Sequence, residues 1–454
     1  MSEKNLSRRE FLKISVVAAA GVGLLPSVAT ALAEHAPARQ DAKEVVVWWG
    51  DPPEDALAIN AEDTDALWRQ WIEQTFEEQN PGAQIKWESH GWDEPLRTGL
   101  LTAIAGGNPP DAVIGEAFVH EFAALGAFSP VPVNPDDFVR GTILGALIDG
   151  ELYGIPAFSS SFCFEVNRKV VADSGLDPDV APTTWGELLT NAQAIYEAGG
   201  KGENWFGMTV WGPTPKRTYG AALRAFPWVN RTGALMGSDD GTQATFNDPR
   251  GVKAYDLLRE LYRTCDPGIA LGEDENKVGG ALWANKTAYQ ISATWDAKTG
   301  SDLGCDSFYA PIPMCTDEEC LAANTTVGNL TLSPLANGPN PELGVAFCAF
   351  LATEEAQWQV AKIRGWVLPT LKKVLEDPTV TTYGPYEGYE EKIKVMVQVM
   401  LNEELHPTPP FACNASRIWN VWSDMIGRMF LTSAPTQELL DWMQGEAEKL
   451  MDEC

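Results

Sequence analysis

Asp149-Gly150-Glu151-Leu152-Tyr153-Gly154-Ile155-Pro156-Ala157-Phe158-Ser159-Ser160-Ser161-Phe162-Cys163-Phe164-Glu165-Val166-Asn167-Arg168-Lys169-Val170 is the stretch on which the rest of the chain turns. Asp149-Gly150 is a tight-turn signal, because both residues tolerate positive φ. Leu152 to Pro156 reads as extended, since Pro156 keeps Ile155 out of the helical region. A second extended run, Phe162 to Val166, follows across Ser159-Ser160-Ser161. Two such segments could form one hairpin, or could carry the chain from one lobe to another. Taken alone the stretch favours the hairpin.

The flanks argue otherwise. Upstream, Glu44-Val45-Val46-Val47-Trp48-Trp49 reads as a buried strand. Leu67, Trp68, Trp71, Ile72 and Phe76 recur at helical spacing until Asn80-Pro81-Gly82. Gln84 to Glu88 is a second strand, Leu96 to Ile104 a second helix, Ala112-Val113-Ile114 a third strand, and Phe118, Phe122 and Leu125 mark a third helix. That alternation means a mostly parallel sheet with helices on both faces. Ligands in such sheets lie outside the carboxyl ends of the strands, here Trp49-Gly50-Asp51, Trp92-Asp93 and Gly115-Glu116.

Downstream the pattern is again mixed. Thr184-Trp185-Gly186-Glu187 has capping-box spacing, and Asp248-Pro249 opens a helix striped by Val252, Tyr255, Leu258 and Tyr262. Phe206 to Trp211 is extended, and Ala288 to Trp295 reads as a strand ending at Asp296. Asn324 to Leu335 is extended, Leu343 to Leu351 helical, and Glu387 to Leu450 mostly helical. A second α/β lobe follows, and the opening stretch becomes a crossing between the two.

With 454 residues the chain has room for two domains. Residues 1–33 form an export segment: Ser7-Arg8-Arg9-Glu10-Phe11-Leu12-Lys13, an Ala- and Gly-rich apolar run, then Ala31-Leu32-Ala33. The paired arginines resemble a twin-arginine signal, and Gly21, Gly23 and Pro26 weaken the alternative of a membrane anchor. No cysteine precedes Cys163, which points to a free periplasmic protein without a lipid anchor.

Formal charge is −30, and loss of residues 1–33 removes four basic and two acidic groups, leaving −32. Nucleic acid and anionic membranes are poor partners for such a surface; solubility, in a saline habitat or elsewhere, accounts for it. The 8 cysteines suit an oxidising compartment. Cys315 and Cys320 could close a local disulfide loop, with Cys305 competing, and no connectivity follows from the sequence. His35, His90, His120 and His406 are scattered, so no metal site or cofactor is expected.

Several segments, in order, resemble the family 1 extracellular solute-binding proteins of ABC sugar importers, the maltose- and multiple-sugar-binding group. They are Ala105-Gly106-Gly107-Asn108-Pro109-Pro110-Asp111-Ala112-Val113, the run from Asp149 to Pro156, Asn167-Arg168-Lys169, Ser174-Gly175-Leu176-Asp177 with Pro182 to Leu188, Asn285-Lys286-Thr287-Ala288-Tyr289 with Thr294-Trp295, and Pro341 to Ala352. Val166 stands where the family often has tyrosine, and Thr287 where a small residue is commoner. The resemblance implies an α/β, two-lobe periplasmic binding protein fold of type II-like architecture, with a second crossing near Val327-Gly328-Asn329-Leu330-Thr331. The lobes would take 44–156 with 331–378, and 157–330 with 379–454. It also implies a monomer that delivers a sugar to permease subunits.

A sugar site wants aromatic planes for the ring face and polar groups for the hydroxyl rim. Trp68, Trp71, Trp358 and Trp442 lie in helical stripes and Trp185 beside a cap, so packing explains them. Trp49, Trp92, Trp211, Trp228, Trp295 and Trp366 sit in or beside expected loops and are ligand candidates, Trp295 with Asp296 foremost. Asp51, Glu116 and Asn329 are polar candidates, each equally explained by a solvated loop or a cap, and Phe158 and Ser159 would face the cleft. Catalytic signatures are absent from the sequence. An exported carbohydrate-active enzyme, needing two carboxylates about 5–10 Å apart, is the alternative. A polyol, glycerol phosphate or peptide ligand is another; scattered Arg217, Arg224, Arg231 and Arg417 would have to converge for a phosphate.

Overall fold

The computed structural model describes residues 43–50, 64–91, 93–115, 118–213, 220–238, 240–272, 275–316, 324–407 and 411–453. The expected export segment, Asp51, Trp92, Glu116 and Arg217 lie outside these residues.

Strand β1 (Lys43–Trp49), helix α1 (Thr64–Gln79), β2 (Ala83–Ser89), α2 (Asp93–Ala105), β3 (Ala112–Gly115) and α3 (Val119–Ala124) follow the expected alternation. β1 is parallel to both β2 and β3. The sheet is buried because its strands carry Val45, Val47, Ala112, Val113 and Ile114, each 0% exposed. Helix α1 covers one face with Trp68, Ile72 and Phe76, and burying such side chains contributes about 1.5–3 kcal/mol apiece. Asp111 lies beneath: its carboxylate accepts from the Val46 amide at 2.8 Å and from the Asn340 amide, tying β1 to a distant loop.

The opening stretch resolves into three strands, with a fourth just before it. Leu147–Ile148 (β4) and Glu151–Leu152 (β5) pair antiparallel about Asp149 and Gly150, which take φ of 52° and 85° as the turn requires. Ile155–Ser161 (β6) and Cys163–Asn167 (β7) do not pair with each other. β6 joins the first sheet through Asn324–Pro334 (β11), whereas β7 joins a second sheet made with Phe206–Met208 (β8), Thr287–Ser292 (β9) and Ser307–Ala310 (β10). The crossing is therefore real, and Phe162 is the residue at its centre.

The expected strands β1, β2 and β3 are parallel, while β11 enters the sheet antiparallel to β3 and β6. Two expectations need correction. Glu404–Pro407 (β12) interrupts the helical C-terminal region and pairs parallel with β11; its short Glu-Leu-His-Pro sequence carries no strand signal. The strand expected to reach Trp295 stops at Ser292, because the Asp296 carboxylate accepts from the Ala293 amide at 2.7 Å and starts a helix, Thr294–Asp302.

Two hydrophobic cores lie on either side of the crossing. The first gathers Val45 to Phe158 and Val327 to Leu405, with Cys163, Ala297 and Tyr309; the second gathers most of the buried apolar residues from Phe162 to Cys315 and those from Phe411 to Leu450. The segment from 379, grouped with the second lobe from sequence, contributes Val380, Ile393, Met396 and Met400 to the first core. Helix Glu390–Asn402 carries the last three, and its Lys392 reaches Glu165 of β7 at 3.1 Å. Cys163, Cys265, Cys305 and Cys348 are free thiols, so Cys305 does not compete for a local disulfide.

Candidate functional site

Strand register fixes where a ligand could sit. Because β1, β2 and β3 are parallel, Trp49, Ser89 and Gly115 end on one edge of the first sheet. β6 is antiparallel to β11, as β3 is, so β6 runs in the sense of β3 and leaves over that same edge. In the second sheet Cys163, the first residue of β7, pairs with Ser292, the last of β9, and β8 runs parallel to β9. The carboxyl ends of β8 and β9 therefore point back at the crossing. Five strand ends from two sheets converge on one short segment, the place where backbone groups are left for ligands.

On the first side, Phe158 is fully buried among Trp49, Trp68 and Trp366, with ring centroids 6.0, 5.8 and 6.3 Å away. The Arg364 guanidinium stacks 3.8 Å from the Phe158 centroid and 4.5 Å from that of Trp366. Its charge is matched by Asp65 at 2.7 Å. Trp366 is half-buried and donates its indole N–H to Asp65 at 2.9 Å. Trp49 is 1% exposed, so it is the floor of this cluster and not its surface.

On the second side, Trp295 is half-buried, edge-on to Phe162 at 6.0 Å, and approaches Gly328 of β11, where a Cβ would stand 3.5 Å from the indole. Asp296, 6% exposed, is bound by Arg224 at 3.0 Å, and burial pushes its carboxyl up. Arg224 stacks over Trp211 at 4.6 Å and Phe162 at 5.4 Å. Trp211 is 8% exposed and its buried indole N–H has no hydrogen-bond acceptor among the described residues. The two sides are laced along the crossing: Ser159 Oγ donates to Gly328 O at 3.0 Å, and Ser160 Oγ accepts from the Thr294 amide at 2.9 Å.

Of the sequence candidates, Trp49, Phe158 and Trp366 gather on one side, and Trp211, Trp295 and Asp296 on the other. Trp228 does not join them. It lies in helix Gly220–Asn230, which also contains Pro227, and is 1% exposed, packed on Phe164 and Trp185. Asn329 is on β11 opposite Ser159. Asp51, Trp92 and Glu116 fall outside the described residues. Arginines do not converge: Arg224, Arg231 and Arg417 pair with Asp296, Glu403 and Glu453 respectively. Arg364 and Asp65 were missed. An Arg-Gly-Trp triplet before Leu-Pro gives no periodic signal, and only the fold brings Asp65 to it.

Among the described residues no group of three or more His, Cys, Asp and Glu could hold a metal ion, and no helix is long and apolar enough to cross a membrane. The cores also touch away from the crossing, where Arg97 of α2 donates to Asn414 at 3.3 Å while paired to Glu121.

Two α/β sheets whose carboxyl edges face one another across a crossing define a two-lobe binding protein. The profile of the bacterial extracellular solute-binding proteins matches residues 58–358, well over half of the chain, and the protein belongs to that family. A Brucella abortus binding protein is 27% identical over 135 residues, 29% of this chain and about a third (32%) of its own length. The sn-glycerol-3-phosphate-binding periplasmic protein UgpB of Salmonella typhimurium is 26% identical over 218 residues, 45% of this chain and 48% of UgpB. The crystal structure of the cyclic α-maltosyl-1,6-maltose binding protein of Arthrobacter globiformis superposes with a TM-score of 0.74 at 19% identity, covering 90% of this chain and 99% of that one.

Proposed function

We propose that this chain captures a neutral sugar or oligosaccharide between its lobes and delivers it to the permease of an ABC importer. The observation that carries the reading is the pair of half-buried indoles, Trp366 and Trp295, on opposite sides of the crossing. Indole faces suit the apolar face of a pyranose. The charges around them are already matched within the protein: Arg364 by Asp65, Arg224 by Asp296, Lys392 by Glu165. A phosphate would add uncompensated negative charge beside Asp296 and Glu165. The likeness to UgpB favours a glycerol phosphate as the second reading, and the absence of an arginine cluster at the crossing among the described residues counts against it.

In this reading the lobes correspond to the two hydrophobic cores, the crossing at Phe158–Phe162 is the hinge, and the protein works as a periplasmic monomer exported through Arg8-Arg9. It binds and does not transform its ligand. Tryptophan fluorescence titration with maltose, cyclic α-maltosyl-1,6-maltose, α-D-tagatose and sn-glycerol 3-phosphate tests it. A sugar response weakened at least tenfold by Trp295→Ala is expected. A response to sn-glycerol 3-phosphate alone, or turnover of a bound oligosaccharide, overturns the reading. Loss of export on Arg8→Lys with Arg9→Lys checks the route.

A further inference from the structure

Arg364 is a deeply enclosed cation beside the crossing. It is 1% exposed, yet its environment is mainly aromatic: Phe158, Trp366, Trp68 and Trp49 lie 3.8, 4.5, 4.7 and 5.6 Å from its guanidinium carbon. Burying an arginine costs free energy unless it is paired and hydrogen-bonded. A leucine or methionine would fill the same aromatic space without that cost. The charge must therefore contribute something that packing does not.

The geometry around Trp366 supplies it. Asp65 Oδ1 forms an ion pair with Arg364, 2.7 Å from its Nε, and accepts from the Trp366 indole N–H at 2.9 Å. One carboxylate oxygen thus ties the ring's edge, while the guanidinium of the same pair lies under its inner face. A ring held at the edge and on one face has only its other face left for a ligand. The backbone is built for the same end. Val360–Arg364 forms a π-helical turn, a feature that recurs at functional sites. Gly365 follows at φ 72°, where a Cβ would stand 2.2 Å from the Pro385 Cβ, so only glycine allows the turn that delivers Trp366. Tyr389 closes it by donating its hydroxyl to Gly365 O at 2.8 Å.

We propose that Asp65 and Arg364 are positioning residues for Trp366, which together hold its indole as a one-faced stacking platform for a sugar ring. This rests on Trp366 being the ligand platform of the first lobe. The pair acts through the indole and does not itself touch the ligand. Losing a hydrogen bond from a rotatable platform weakens sugar binding about tenfold.

The test uses the mature protein with ¹⁵N-labelled indoles, maltose and α-D-tagatose as probes, and Trp366→Phe to assign the Trp366 N–H signal. Asp65→Ala and Arg364→Lys should each shift that signal and weaken the bound sugar about tenfold. Asp65→Asn, whose amide oxygen still accepts, should restore both; a merely structural role would move the melting temperature without this pattern. An unmoved Trp366 signal, or full affinity in Asp65→Ala where Trp366→Ala binds weakly, overturns this inference and leaves the sugar reading standing. Full affinity in Trp366→Ala, or no binding of either probe by the unsubstituted protein, overturns the platform and this inference with it. Arg364→Lys keeps the test decisive should Asp65→Ala fail to fold.

Discussion

Lys392→Met is the most revealing single change outside the indoles. Lys392 lies on the helix Glu390–Asn402, whose apolar side packs in the first core, and its ammonium pairs with Glu165 on β7 of the second sheet. Glu165 is 0% exposed and also accepts from Gln290 Nε2 at 3.0 Å, Ser292 Oγ at 2.6 Å and Ser307 Oγ at 2.7 Å. Methionine fills the volume of the lysine stem but leaves the carboxylate buried with three neutral donors and no cation. Removing one partner of a buried pair costs about 3–5 kcal/mol. Glu165→Gln with Lys392→Met removes both charges and should recover most of that, because the isosteric amide keeps the serine bonds. Urea unfolding of the four proteins of this cycle, followed by tryptophan fluorescence, gives the coupling energy. The pair links the two cores, so Lys392→Met should also split a single unfolding transition into two. A loss below about 1 kcal/mol, the range of an exposed pair, would refute the reasoning, and so would a double substitution worse than either single one.

Asp296→Ala should behave as a stability variant, since the side chain caps its helix and neutralises Arg224; a fall of about 3 kcal/mol in urea with any affinity loss following from it is expected. His120 is 4% exposed, with its Nε2 3.3 Å from Leu144 O and Asp240 nearby, and burial holds its pKa below the usual 6.5. The unfolded chain then binds the proton first, so His120 contributes stability above pH 6.5 that is lost as pH falls below it; His120→Gln should flatten the melting temperature between pH 6.5 and 5. Burial pushes the Cys163 and Cys265 thiols up to about 12, so neither should react with a thiol reagent at pH 8 in the native protein.

The crossing was legible because Asp149-Gly150 and Pro156 mark turn and extension locally, and because the hydrophobic period changes on either side. Helices α1 and α2 and the capping box at Thr184 were legible for the same reason: their signals lie within a few residues. What sequence could not supply was partnership. β12 has no local signal and exists because β11 offers it an edge. Trp228 and Trp366 both stand in or beside expected loops, yet one is core and the other half-buried. Asp296 looked like a rim carboxylate until Arg224, from a distant helix, took it. Asp65 and Arg364 carry no pattern at all, since 298 intervening residues separate the pair that the fold brings to 2.7 Å.

The central claim is that two lobes close on a sugar about Phe158–Phe162. X-ray scattering of the mature protein, alone and saturated with the sugar that fluorescence selects, tests it most directly. A reduced radius of gyration with ligand, lost when Trp295 and Trp366 are both replaced by alanine, is the expected result. Saturated binding with no change in the scattering curve would contradict it.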